Sequence, residues 1–208
     1  MKDKKLIAFD MYGTFVHMPK GPNPYRESFA QLWMQSFFAK HLADILQTTN
    51  KDIYEIIPQA FRNDENIHTI LTSLDDAISK QFPMMSLYED FLPTIEYLKS
   101  SWYRTAVISN LSKPYSYPLT HLVPKDTFDY KTLSYEVGAK KPDAKIFDHV
   151  KKISWYRADE IVMVGDSIES DVQWAMYVGI QPIHIDRSSD GIVRYPDYIS
   201  ISTLKQLL

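Results

Sequence analysis

Hydrophobic and polar positions divide the chain into three kinds of segment. Short, unbroken apolar runs occur at "KLIAFD" (5–10), "RTAVISN" (104–110) and "EIVMVGD" (160–166), with a weaker one at "QPIHID" (181–186). Runs of this length, without alternation, predict strands buried on both faces. Between them lie stretches with apolar residues at helical spacing. "TIEYLKSS" (94–101) carries Ile95 and Leu98, and "DAKIFDHVKKI" (143–153) carries Ile146, Phe147 and Val150. "SDVQWAMYVG" (170–179) carries Val172, Ala175 and Met176, with Gly179 placed to end the helix. Strand–helix alternation predicts an α/β fold with a Rossmann-like parallel sheet.

Residues 17–90 break this rhythm. They contain no convincing strand. Helices are expected over 25–46, 52–63 and 72–82, and Pro19, Pro22 and Pro24 mark the entry loop. A helical block between the first two sheet strands reads as an inserted cap. The expected organisation is a core of residues 1–16 and 91–208 and a helical cap of 17–90. No internal repeat or low-complexity segment interrupts this pattern.

The three strongest strands each end in a polar group: Asp10, Ser109–Asn110 and Gly165–Asp166. In an open parallel sheet, ligands bind outside the carboxyl ends of the strands. The sequence therefore predicts that these residues meet at one site.

Bulk properties narrow the function. The 208 residues carry a net charge of −3, which gives no nucleic-acid surface, and there is no cysteine, which removes thiolate chemistry and Cys-ligated zinc. The opening segment has no apolar stretch suited to a signal peptide, and no run approaches a membrane span. The expectation is a cytoplasmic protein acting on a small molecule, with no nucleic-acid or membrane partner. The sequence sets no oligomeric state.

Four segments, "FDMYGT" (9–14), "VISN" (107–110), "SYEVGAKKPDAKIF" (134–147) and "VGDSIESD" (164–171), stand in an order that resembles the haloacid dehalogenase-like hydrolase superfamily, capped subfamily I with a C1-type helical cap. The resemblance covers nearly the whole chain. It implies that Asp10 is the nucleophile of a covalent mechanism. It makes Thr14 and Ser109 contacts to the transferring group, with Asn110 helping to shape that pocket, and Lys141, rather than its neighbour Lys140, the neutralising cation. It implies a magnesium ion held by Asp10, the Tyr12 main chain and Asp166, with Asp171 supporting the site through Lys141 or metal-bound water. Each residue has a plainer reading: strand-end turn chemistry for Asp10, Thr14, Ser109 and Asn110, a solvated pair for the lysines, a helix-dipole acid for Asp171.

Tyr12 departs from the family's phosphatases, which usually place a second acid there for general acid–base work. A phenol titrating near 10 is a poor base at neutral pH. Asp-x-Tyr-Gly-Thr is instead the form of the 2-haloacid dehalogenases, whose halide leaves without a proton. Those enzymes use no metal, however, and carry an arginine and a tyrosine where this chain has Met34 and Phe147. The acidic last motif favours retained magnesium and a phosphatase of small phosphorylated metabolites, aided by a good leaving group such as an acyl or aryl phosphate. A metal-free dehalogenase-type hydrolase and a binding or regulatory protein without turnover remain alternatives. Arg26, His41, Arg62 and His68 are candidate cap contacts, and His17 a candidate proton shuttle. Trp33, Phe37 and Phe38 are expected in the cap core.

Overall fold

The computed structural model describes residues 3–19, 21, 23–31, 41–42, 44–56 and 65–208. Its strands are β1 (Leu6–Phe9), β2 (Val16–His17), β3 (Ser86–Leu87), β4 (Arg104–Ser109), β5 (Tyr130–Leu133), β6 (Ile161–Gly165), β7 (Gln181–Ile185), β8 (Val193–Arg194) and β9 (Ile199–Ile201). Seven of them form one sheet in the order β5-β4-β1-β6-β7-β9-β8, parallel except for the β8–β9 pair. The Rossmann-like α/β architecture expected from the sequence is present.

The helices in chain order are α1 (Pro24–Gln31), α2 (Ile53–Ile56), α3 (Glu65–Gln81), α4 (Phe91–Ser100), α5 (Tyr117–His121), α6 (Ser134–Val137), α7 (Ala144–Ser154) and α8 (Trp174–Tyr177). Strand alternation sorts the core into two layers. Ile7, Phe9, Val107, Val162 and Val164 face one side and pack with Phe91, Ile95 and Leu98 of α4. Leu6, Ala8, Ala106, Ile108, Ile161 and Met163 face the other and pack with Ile146, Phe147 and Val150 of α7. Both faces of the central strands are covered, so their sequences read as unbroken apolar runs. A third cluster, Leu42, Leu46, Ile53, Leu71, Leu74 and Ile78, lies in the segment between β2 and β3. In α3, Leu71, Leu74 and Ile78 fall on one helical stripe.

Several elements differ from expectation. Residues 17–90 contain strand after all, because β2 pairs antiparallel with β3 in a two-stranded ribbon at the exit and return of the insertion. Two-residue strands leave no hydrophobic period to detect. β5 was also not anticipated, since "YKTL" has an exposed lysine and lies at one edge of the sheet order. The helix expected over 170–179 opens as a wide π-helical turn, Ile168–Gln173, before α8. Gly179, at φ +79°, ends it as expected. The sequence positions Trp33, Met34, Phe37, Phe38 and Arg62, and parts of the helices expected over 25–46 and 52–63, lie outside the described residues.

Candidate active site

Register builds the centre. Phe9 lies opposite Val107 on β4 and Val164 on β6, and the Asp10 amide donates to the Val164 carbonyl at 2.8 Å. Asp10, Ser109 and Asp166, one or two residues further on, thus arrive together at the carboxyl ends of these strands. The chain then turns sharply: the Phe15 and Val16 amides both donate to the Met11 carbonyl, at 3.0 and 2.9 Å. Gly13 holds this turn at φ +77°, where a Cβ would lie 2.2 Å from Asp166 Oδ2. Gly165 has the same kind of role, since its Cβ would lie 2.3 Å from the Asp171 carboxyl carbon. Two missing side chains therefore let two acids approach the nucleophile loop.

Lys141 is the hub. Its Nζ lies 2.6 Å from Asp10 Oδ1 and 2.6 Å from Asp171 Oδ1, and donates to the Ile108 carbonyl at 3.1 Å. Ser109 Oγ donates to Asp10 Oδ1 at 3.0 Å. Asn110 clasps the Lys141 backbone in both directions, donating to its carbonyl and accepting from its amide, each at 2.7 Å. The Ser167 amide donates to Asp171 Oδ2 at 3.1 Å, so both oxygens of this buried acid are engaged. Asp171 thus contacts Lys141, not solvent. The neighbouring lysines separate cleanly, for Lys140 pairs with Asp44 of the insertion at 2.5 Å.

Electrostatics follow from burial and imbalance. Burial pushes the Asp10 carboxyl up to about 7; Lys141 pulls it down, and Asp171 and Asp166 push it further up. Burial would lower the Lys141 ammonium, yet Asp10 and Asp171 together hold it well above the ordinary lysine value. Asp166 is raised by desolvation and by Asp171. Three carboxylates, Asp10, Asp166 and Asp171, bring oxygens within 4.8 Å of one another around a single lysine. This excess of hard anionic oxygen fits a divalent cation such as magnesium. Asp10 and Asp166 offer the carboxylates that would hold it, because Asp171 is committed elsewhere.

The remaining expected residues distribute unevenly. Thr14 is fully buried, and its Oγ1 has no hydrogen-bond partner among the described residues. Tyr12 turns its hydroxyl to the Tyr115 carbonyl at 2.9 Å, and burial pushes its phenol far above the ordinary range. His17 does not join the cluster; its Nδ1 lies 3.4 Å from the Tyr88 hydroxyl, and it borders a different depression with Asp90 and Arg187. A cavity of about 390 Å³ opens beside Tyr12 and Asn110. Arg26, His41 and His68 do not line it. Its walls include Tyr25, Tyr115, Asn23, Gln47 and Ser112, none of which the motifs single out. The only sequence signal for Ser112 and Tyr115 is their position just after "VISN". Two further supports were missed. His184 reaches from β7 to the Asp166 carbonyl at 3.1 Å and to Ser200 Oγ at 2.8 Å. Arg187 donates to the Thr14 carbonyl and to Asp90.

Comparison with known proteins concerns the family and the fold. The family model described as haloacid dehalogenase-like hydrolase matches residues 7–185. A glyceraldehyde 3-phosphate phosphatase of Methanopyrus kandleri is 29% identical over 108 residues, covering 51% of this chain and 46% of that protein. The chain spans about half the length of the curated relatives it matches. Among solved structures, an HAD phosphatase from Thermococcus onnurineus aligns over 98% of this chain and 95% of its own, at 26% identity and a TM-score of 0.65. A 2-haloacid dehalogenase from Pseudomonas syringae pv. Tomato DC3000 shares the fold at 20% identity and a TM-score of 0.67, over 98% of this chain and 96% of its own.

Proposed function

This chain belongs to the haloacid dehalogenase-like hydrolases, and we propose that within that family it is a magnesium-dependent phosphatase of a small phosphorylated metabolite. The observation that carries this reading is the uncompensated charge at the centre, three carboxylates against one lysine. A site that released halide without metal has no need of Asp166. A site that holds a cation for phosphoryl transfer does.

In this reading Asp10 Oδ2 attacks phosphorus while Lys141 and Ser109 hold Oδ1 in place. The bond from phosphorus to the leaving oxygen breaks, and water later attacks the aspartyl phosphate to return Asp10. Lys141 offsets charge on both nucleophile and phosphoryl group. Asn110 fixes the Lys141 backbone, and Asp171 fixes its ammonium. The unpartnered Thr14 hydroxyl is the proposed contact to the transferring group, and Ser109 joins it by turning its hydroxyl from Asp10. Asp10, the Tyr12 carbonyl and Asp166 would hold magnesium. Bound magnesium supplies charge neutralisation on the phosphoryl oxygens. Residues 17–90 act as the cap, entering and leaving through the β2–β3 ribbon, with Lys140–Asp44 tying cap to core.

The second reading, a 2-haloacid dehalogenase-type hydrolase, rests on Tyr12 alone. One assay separates the two. The purified protein is given phenyl phosphate or 2-chloropropionate, with magnesium or with chelator, beside Asp10→Asn. Phosphate release that needs magnesium and falls at least about 1000-fold in Asp10→Asn is the expected outcome. Chloride release indifferent to chelator would overturn the phosphatase reading.

A further inference from the structure

We propose that the ester cleaved here has its phosphate on an uncharged, planar, phenol-like group, so that the leaving oxygen departs as a stable anion without being protonated. This rests on the phosphatase reading and adds the substrate class. Two independent observations converge on it.

The first is the wall of the cavity that Tyr12 and Asn110, from the loops after β1 and β4, help to line. Among the described residues, its lining is uncharged. Three tyrosines contribute, and each hydroxyl is engaged with the protein. Tyr12 donates to the Tyr115 carbonyl at 2.9 Å, Tyr25 lies 2.9 Å from Ser112 Oγ, and Tyr115 donates to Gln81 Oε1 at 2.7 Å. The phenols are thereby fixed by their tips, and what remains for a ligand is ring surface. Tyr115 is central, with centroids 6.2 Å from Tyr12 and 6.0 Å from Tyr25. Aromatic pairs at such spacing favour a further ring packed against them. No charged side chain among the described lining residues is there to pair with a second phosphate or a carboxylate on the substrate. The contrast is close at hand: a neighbouring cavity, which shares Tyr25, is bordered by Lys51, Lys113, Asp52 and Asp75.

The second observation is the lack of a proton donor among the described residues of the site. The Tyr12 hydroxyl hydrogen is committed to a main-chain carbonyl. Asp171 is held by Lys141 and the Ser167 amide, and both His184 nitrogens are engaged, one by Ser200 and one by the Asp166 carbonyl. His17 sits against Tyr88. With no acid among the described residues placed to protonate it, the electron pair of the breaking P–O bond stays on the leaving oxygen in this proposal. As Asp10 Oδ2 bonds to phosphorus, the oxygen departs as a phenolate. Water then attacks the aspartyl phosphate, releasing phosphate and a proton to solvent. A phenolate bears that charge in its ring; an alkoxide cannot.

The test uses the intact protein with magnesium. Rates are measured for para-substituted phenyl phosphates, for alkyl monophosphates of similar size, and for an alkyl bisphosphate. The expected result is kcat/KM at least about 100-fold higher for phenyl than for alkyl esters, falling steadily as the leaving phenol becomes more basic. Phenol is expected to inhibit competitively where cyclohexanol at equal concentration does not. Tyr115→Leu should raise KM for phenyl phosphate by about 10-fold while leaving KM for a small alkyl ester unchanged. Aryl and alkyl rates within about tenfold, with a flat dependence on leaving-group basicity, would show that a proton is delivered and would overturn the proposal while leaving the phosphatase reading intact. Preference for the bisphosphate, or equal inhibition by cyclohexanol, would overturn the pocket argument. Absence of phosphate release from every ester would remove the phosphatase reading itself, and this substrate class with it.

Discussion

Two buried aspartates, each beside a cation, occupy this fold, and they behave in opposite ways. Asp10 and Asp90 are exposed by only 8% and 6%, but Asp10 lies deeper among surrounding atoms and loses more hydration. Asp90, just ahead of α4, receives Arg187 Nη1 at 2.5 Å, Thr203 Oγ1 at 2.5 Å and the Leu204 amide at 2.7 Å. Burial alone would raise its carboxyl; the guanidinium and these donors outweigh that and hold it below the usual range. Arg187 also lies over the Tyr88 ring, 4.0 Å from its centroid, and donates to the Thr14 carbonyl. One acid meets one base. At Asp10 burial drives the carboxyl upward, the lysine that would offset it is shared with Asp171, and Asp171 and Asp166 push the carboxyl further. A structural ion pair closes its own charge; a centre that must receive a cation and an anionic ester leaves charge open.

The comparison breaks most visibly at the cations. Lys141→Met leaves Asp10 and Asp171 facing each other without compensation. It is expected to cost about 3–5 kcal/mol of stability and at least about 100-fold in kcat, measured by urea unfolding and phosphate release. Magnesium should restore part of the stability and little of the rate. A variant that shows the stability loss yet turns over at the native rate would show that Lys141 is structural only.

Arg187→Met is the matching change on the other side. It orphans Asp90 and is expected to cost about 3 kcal/mol of stability. Because Arg187 reaches the active-site turn only through the Thr14 carbonyl, kcat well below the unfolding midpoint should stay within a few-fold of native. A large loss of kcat with unchanged stability would reverse the assignment and make Arg187 a positioning residue for Thr14.

The contrast also marks what the sequence could reveal. β1, β4 and β6 announced themselves because strands covered on both faces must be continuously apolar, and their polar ends located Asp10, Ser109 and Asp166. The resemblance supplied Lys141 and Asp171, which sit 131 and 161 positions beyond Asp10 and which no periodicity would join to it. Asp90 and Arg187 were invisible, since an ion pair spanning 97 positions has no motif and arises only when the chain after β7 returns to the start of α4. The tyrosine wall was equally hidden. Tyr25 and Tyr115 come from segments 90 positions apart and meet only when the insertion folds over the core. Core strands are written locally; walls and anchors depend on tertiary return.

The smallest expected effect is the most direct, because the two aspartates should bend the pH dependence of stability in opposite directions. Asp90 titrates below its unfolded value, so the folded state binds fewer protons than the unfolded chain at acid pH. Its contribution is complete above about pH 4 and drains away as pH falls through the folded value. Asp10 without metal titrates at about 7 against an ordinary 3.8. Between those values the folded protein keeps a proton that the unfolded chain has released, so stability falls as pH rises. Lys141 stays charged throughout and adds no slope. In chelator, stability should therefore decline from pH 5 to 7, by at most about 1.4 kcal/mol per pH unit. Magnesium, favouring the ionised acids, should flatten that decline and stabilise increasingly toward neutrality, by about 2.7 kcal/mol when present at about 100 times its Kd. Urea titrations across pH 3–8, with magnesium and with chelator, measure both limbs. Asp10→Asn should shrink the upper limb to what the raised Asp166 contributes and leave the acid limb in place. A metal-free protein whose stability rises from pH 5 to 7 would mean that Lys141 alone satisfies Asp10, and the open charge that separates the two clusters would not exist.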